Sequence, residues 1–359
     1  MRVCYLNHVN NPAAFKAVLS RIVLSVGGVC VGFLVVELFF MVVVKTRVVP
    51  IPPEFRTVTF IDNSKSYFLF DRELGWRLRP NYDAPDARIN ALGFRSSADR
   101  SFEELNRDHP VLLLGDSMVF GERVDQHKIF SEVLGRDVKG HCFINTGVQG
   151  YSPWQEYLVL DKILRQLHPE VIVIFFFQPN DLLFSTRTDH FHPGVRIQNG
   201  ELFPSPAHRS FQQPLYELTY TYRWLSKKFI NGKDLHYLLN SADLWVRRES
   251  SYVWRVQQLI YEHIQKLAVA NGFKVYVVDI PAQNELSGRF HTYKPHQLLA
   301  RLCQQNGFGY FDLLKFYPSN YAPLFLPNDE HWSSEGHAWI ARFLEDHLPE
   351  LSSDSGVSQ

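Results

Sequence analysis

Three apolar runs, each stopping on a polar turn-forming motif, constrain this chain more than any other feature. Val111-Leu112-Leu113-Leu114 stops on Gly115-Asp116-Ser117, Cys142-Phe143-Ile144 stops on Asn145, and Val171 to Phe177 stops on Gln178-Pro179-Asn180-Asp181. Unbroken apolar runs of this length read as strands buried on both faces, the habit of parallel sheets. Helices suit the intervals at Ile129 to Leu134 and at Gln155 to Leu167, the second ended by His168-Pro169. Further on, a helix from Trp254 to Asn271, stopped by Gly272, leads to a strand at Phe273 to Ile280. Another from His296 to Gln305, ended by Gly307, leads to Tyr310-Phe311-Asp312-Leu313. This alternation predicts an α/β fold, a sheet of about five parallel strands with helices on both faces. Such sheets bind ligands outside the carboxyl ends of their strands, where the three polar motifs fall.

A serine lifted out at that edge needs only a base to become a nucleophile. Gly-Asp-Ser by itself is three residues and arises by chance, so its partners decide the matter. The base is found in Asn328-Asp329-Glu330-His331-Trp332, where an acid precedes a histidine by two positions. A carboxylate on the far ring nitrogen holds an imidazole in one tautomer and stabilises the imidazolium. Ser333 or Ser334 followed by Glu335 reads as a helix start, so Asp329 and His331 fall on the loop before the last helix. His337 falls inside that helix and reads as an ordinary surface or capping histidine.

Four blocks taken together resemble the SGNH hydrolases of the GDSL esterase superfamily, in that family's order. They are Gly115-Asp116-Ser117, then Asn145-Thr146-Gly147-Val148-Gln149-Gly150-Tyr151-Ser152, then Gln178-Pro179-Asn180-Asp181, and lastly the Asp329/His331 segment. The resemblance implies a flavodoxin-like three-layer α/β/α fold. It assigns Ser117, His331 and Asp329 to catalysis, and the backbone N–H of Ser117, that of Gly150 and the Asn180 amide to the oxyanion hole. A glycine admits a backbone N–H close to a reacting oxygen, and an amide aimed at developing charge suits the same task. Singly, Gly150 reads as a turn and Asn180 as a helix cap; jointly with Ser117 and His331 those readings need four coincidences. The familiar family pattern has its acid three residues before the histidine, where this chain has Asn328; Asp329-Glu330-His331-Trp332 resembles the Asp-x-His-Trp of relatives handling polysaccharide acetyl groups, which keeps Asp329 as the orienting acid, with a Ser-His dyad as the alternative. Ile89-Asn90-Ala91-Leu92-Gly93-Phe94-Arg95 resembles an element preceding the nucleophile strand in anchored members, with Arg95 structural rather than catalytic.

Ile22 to Val44 is almost wholly apolar between Arg21 and Lys45. As a helix it extends roughly 34 Å, enough for a bilayer core of roughly 30 Å. No small-x-small cleavage pattern follows, so an uncleaved anchor is expected. Glu37 within it carries no assigned role. Flanking charges (Arg2, Lys16 and Arg21 against Lys45, Arg47 and Arg56) barely choose an orientation. Resemblance implies a single pass of the inner membrane with an extracytoplasmic, periplasmic domain. The expected division is a flank (1–21), the span (22–44), a proline-rich linker (45–59), a hydrolase-like domain (60–350) and a disordered polar tail (351–359). Residues 184–250 break the alternation and are expected to form a cap, with Tyr216, Tyr220, Tyr222 and Trp224 as its own core or as a stacking surface for substrate.

The 37 basic and 37 acidic residues balance, so no basic field asks for nucleic acid. Cys4, Cys30, Cys142 and Cys303 form no spaced framework, which argues against a disulfide scaffold or a zinc site. The chemistry implied by the resemblance needs no metal or organic cofactor. The expectation is a membrane-anchored serine esterase working through an acyl-enzyme, as O-acetyl esterase or acetyltransferase on a cell-envelope glycan. A lipase or thioesterase on longer acyl chains, or a non-catalytic glycan-binding relative, are the alternatives.

Overall fold

A computed structural model describes residues 12–46, 66–85, 87–186, 193–207, 251–288, 293–327 and 329–351. Most of the expected cap, including its four aromatic residues, lies outside the described residues, as do 47–59, Asn328 and 352–359. The chain divides into two units, Met1–Thr59 with Ser210–Leu238, and Phe60–Arg209 with Leu239–Gln359.

In the first unit, α1 (Pro12–Thr46) is one continuous helix. It begins well before Ile22, because no helix breaker separates the flank from the apolar run and proline suits the first helical position. Within it, Ser20–Phe39 has a mean hydropathy of 2.4 and no buried residues, so it is long and apolar enough to cross a membrane.

The second unit opens with two antiparallel hairpins, β1 (Phe68–Asp71) with β2 (Gly75–Leu78) and β3 (Tyr82–Ala84) with β4 (Ala87–Ile89). After α2 (Phe102–Asn106) come β5 (Pro110–Leu114), α3 (Ser117–Phe120), α4 (Phe130–Asp137), β6 (Cys142–Asn145), α5 (Pro153–Ile163), β7 (Val171–Phe177) and α6 (Gln178–Phe184). A hairpin of β8 (Gly194–Gln198) and β9 (Glu201–Ser205) follows. The remaining elements are α7 (Tyr252–Asn271), β10 (Lys274–Ile280), α8 (Gln283–Leu286), α9 (Tyr293–Asn306), β11 (Gly309–Asp312) and α10 (Ser334–His347). Expected boundaries shift by a few residues: α5 starts at Pro153, because Ser152 and Gln155 form a capping box there.

Five strands make one sheet in the order β11-β10-β7-β5-β6, and every pairing in it is parallel. In chain order that is 2-1-3-4-5, the flavodoxin-like arrangement. The order reverses between β5 and β7, and the crevice at such a switch point is where ligands bind. Alternation along β7 fills both faces. Ile172, Ile174 and Phe176 join the core under α5, α7 and α9, while Val171, Val173 and Phe175 join the core under α4 and α10. With both faces covered, the runs need no polar side, which is why they read as continuous apolar sequence.

Candidate active site

At the end of β5 the chain turns into a four-residue helix with Ser117 as its first residue. Asp116 caps it, its Oδ1 accepting the Met118 N–H at 2.9 Å. The neighbouring turn after β6 must pass close beneath: a Cβ at Gly147 would lie 2.3 Å from the Phe120 backbone nitrogen, so only glycine fits. Three residues later Gly150 takes φ +73°, a left-handed conformation. Trp76 of β2 braces it, donating from Nε1 to the Gln149 carbonyl at 3.0 Å, while the Tyr151 hydroxyl donates to the Trp76 carbonyl at 2.5 Å. Neither the Ser117 nor the Gly150 N–H donates a backbone hydrogen bond among the described residues.

Asp329 and His331 come from a tight turn before α10. Phe325 bridges Trp332, the Leu326 N–H donates to the His331 carbonyl at 2.9 Å, and the Asp329 N–H donates to the Leu326 carbonyl at 3.1 Å. The turn is anchored by Trp332, fully buried against Phe130 and Phe175, with Nε1 donating to the Tyr317 hydroxyl at 2.8 Å. This presents His331 to the end of β5. Its Nε2 lies 2.7 Å from Ser117 Oγ, and its Nδ1 lies 2.5 Å from Asp329 Oδ1. A carboxylate only accepts, so Nδ1 carries the proton and Nε2 accepts the serine hydroxyl. Asp329 Oδ1 also accepts the His331 N–H at 2.9 Å. Burial holds the imidazole below its ordinary pKa, opposed by the charges of Asp116, Glu122 and Glu330 and aided by Arg123. The ring is therefore neutral near pH 7.

Asn180 lies in the first turn of α6 and does not cap it. Its Nδ2 donates to Asp116 Oδ2 at 2.6 Å, which leaves the second N–H of that amide to point elsewhere. Asp116 thus joins two of the sequence blocks, a role that its place inside Gly-Asp-Ser does not announce. Burial pushes its carboxyl up against the hydrogen bonds from Asn180 and Met118. Asp181 and Glu156 are buried nearby, and burial pushes both well up.

Other residues around the site were not legible as such. Arg123, in a left-handed turn at φ 59°, pairs through Nη2 with Asp329 Oδ2. Arg95, expected to be structural, is buried and donates to the carbonyls of Phe120 at 2.9 Å, Gly121 at 2.6 Å and Val124 at 2.6 Å. His337 is not on the surface: it is buried, and its Nδ1 accepts the Phe130 N–H that opens α4. It therefore does act as a cap, but for a different helix.

Asp279, His296 and Asp312 bring ligand-type atoms within 4.8 Å of one another. Each already has partners: His296 Nδ1 is 2.7 Å from Asp279, its Nε2 is 3.3 Å from Glu285, the Tyr310 hydroxyl donates to Asp279 at 2.6 Å, and Asp312 pairs with Lys315 at 3.2 Å. Burial favours the neutral ring, but the bonds to Asp279 and Glu285 prevail and push His296 up to about 10. This is an ion-paired network, and Gln178 Nε2, at 3.0 Å from Asp279, ties it to the segment carrying Asn180.

Neither a known family's sequence pattern nor any curated protein matches this chain. Solved structures similar to it include the lipase/acylhydrolase from Enterococcus faecalis, 14% identical, over 66% of this chain and 96% of that one, at TM-score 0.36. A putative acylhydrolase from Bacteroides fragilis NCTC 9343 is 15% identical over 69% and 92%, at TM-score 0.37. An acetyl xylan esterase is 13% identical over 67% and 99%, at TM-score 0.39.

Proposed function

We propose that this chain is a serine esterase that cleaves O-esters through an acyl-enzyme, with Ser117 as nucleophile, His331 as base and then acid, and Asp329 as the acid that orients it. The observation that carries the reading is the unbroken line from Ser117 Oγ to His331 Nε2 at 2.7 Å and from His331 Nδ1 to Asp329 at 2.5 Å. Attack of Oγ on the ester carbonyl passes the hydroxyl proton to Nε2, and the carboxylate stabilises the imidazolium. The oxyanion is received by the Ser117 N–H, the Gly150 N–H and the second N–H of Asn180. On collapse the C–O bond to the leaving alcohol breaks and Nε2–H returns the proton to that oxygen. Water, or a sugar hydroxyl, then attacks the acyl-serine with His331 again as base, which separates hydrolysis from acyl transfer only by the acceptor.

In this reading α1 anchors the enzyme in the inner membrane with its domain on the periplasmic side, and the ester is an O-acetyl group of a cell-envelope glycan. Support for the anchor is the 20-residue apolar stretch Ser20–Phe39; support for the glycan is the Asp-x-His-Trp spacing alone. The test is labelling of the full chain in detergent by a fluorophosphonate probe, with turnover of acetyl and long-chain esters. Labelling vanishes in Ser117→Ala, turnover vanishes in Ser117→Ala and His331→Ala, and Asp329→Asn retains a residue of it. Labelling unaffected by Ser117→Ala overturns the mechanism. Preference for long chains over acetyl overturns the glycan assignment.

A further inference from the structure

Asp329 stands two positions before His331, so its carboxylate reaches the ring only by folding back within one turn. Oδ1 is taken twice by His331, through the backbone N–H at 2.9 Å and through Nδ1 at 2.5 Å. Oδ2 is taken by the guanidinium of Arg123. That arginine comes from the other end of the chemistry, the loop leaving the nucleophile helix. The loop is held at both ends: the buried Arg95 guanidinium donates to the carbonyls of Phe120, which closes α3, and of Gly121 and Val124, and stacks 4.5 Å over the Phe120 ring. Arg123 itself sits at φ 59°, a left-handed conformation that strains a non-glycine residue and collects at functional sites.

We propose that Arg123 is a positioning residue, holding the Asp329 carboxylate in the rotamer that meets the His331 ring and so acting on proton transfer through that carboxylate. The proposal rests on the esterase reading above. An exposed ion pair contributes little to stability, and the Arg123 side chain is 55% exposed; the pair's effect is on geometry and local charge. Around His331 stand Asp329 on its own turn, Glu330 beside it, Asp116 at the cap of α3 and Glu122 on the loop, with the neutral His337 behind. Arg123 is the cation among them. Without it the surrounding carboxylates favour the imidazolium, and the ring holds its proton to higher pH.

The experiment compares the full chain in detergent with Arg123→Met and Arg123→Lys, measuring kcat and KM for p-nitrophenyl acetate from pH 4 to 9, with Ser117→Ala as blank. Met retains an unbranched apolar stem and the same backbone strain, so what it removes is the charged, hydrogen-bonding end. The expected result is a kcat lower by roughly tenfold, a part of the roughly 10²–10⁴-fold that proton-transfer catalysis contributes, with KM within about twofold and the acid limb about half a unit higher. Lys restores part of both. In parallel, the His331 ring is titrated by NMR in parent and Arg123→Met, and the same upward shift is expected. Unchanged kcat and midpoint overturn the proposal, as does a rise in KM alone, which would make Arg123 a substrate contact. A parent chain with no turnover above the Ser117→Ala blank overturns the esterase reading instead, and the NMR midpoint then decides the Arg123 assignment by itself.

Discussion

Asp116 and Asn180 show how a site residue gains its meaning from a neighbour. The Asp116 carboxylate accepts from the Asn180 amide at 2.6 Å, which fixes the amide's plane and leaves one N–H for the oxyanion in the proposed mechanism. Loss of such a donor typically lowers kcat by about 10²–10³, or about 2.7–4 kcal/mol. Asn180→Ala is expected to show that loss in kcat with little change in KM, measured on an acetyl ester. Ser117, His331, Asp329 and Asn180 could be found in sequence because each stands next to a recognisable signal: a buried run ending abruptly, or an acid two places before a histidine. Arg123 could not. Its contact with Asp329 depends on a left-handed turn after a four-residue helix, and nothing in Gly121-Glu122-Arg123-Val124 states where that turn aims. Asp116 was read as part of a turn, and it is one; its second oxygen was invisible because its partner lies beyond the next strand.

At the scale of elements, the strands were the legible part and the contacts between helices were not. Runs buried on both faces carry their own signature, whereas nothing in the sequence states that α10, which shares an apolar core with α4, also sends a buried imidazole to accept the Phe130 N–H at 3.2 Å. Ile129 gives α4 no side-chain cap, so His337 supplies the acceptor from another helix. Burial, with Arg95 and His331 nearby, holds His337 down to about 3. An unfolded histidine binds its proton near pH 6.5, so below that pH the unfolded state takes up a proton that the native state refuses. Stability accordingly falls by up to about 1.4 kcal/mol per pH unit as pH drops from 6.5 towards 3. His337→Asn, which retains an acceptor near the Nδ1 position, is expected to flatten that slope. Urea unfolding followed by tryptophan fluorescence at pH 4, 5, 6 and 7 checks it, and equal slopes in parent and variant refute it.

For the whole molecule, the apolar helix α1 sets the handling of the chain. With none of Ser20–Phe39 buried, the full chain is expected to partition into the membrane fraction and to need detergent. A version starting at Pro52 is expected to remain in the supernatant with unchanged turnover, measured by fractionation and acetyl-ester assay. That about five strands would be parallel was foreseeable from the alternation of runs, because each parallel return needs a helix between strands; their flavodoxin-like arrangement came from the resemblance. The span 184–250 offered no period to read, since a segment rich in aromatics, His and Pro without alternation specifies neither helix nor strand. The turn bearing Asp329 and His331 is pinned by Trp332 well towards the carboxyl end, whereas Ser117 opens the short helix that follows β5, the first strand of the sheet in chain order. A ribosome therefore completes the hydroxyl-bearing half long before the imidazole exists. In the proposed mechanism the emerging polypeptide holds a nucleophile without a base until α10 docks, so activity awaits a segment made 214 residues after the serine.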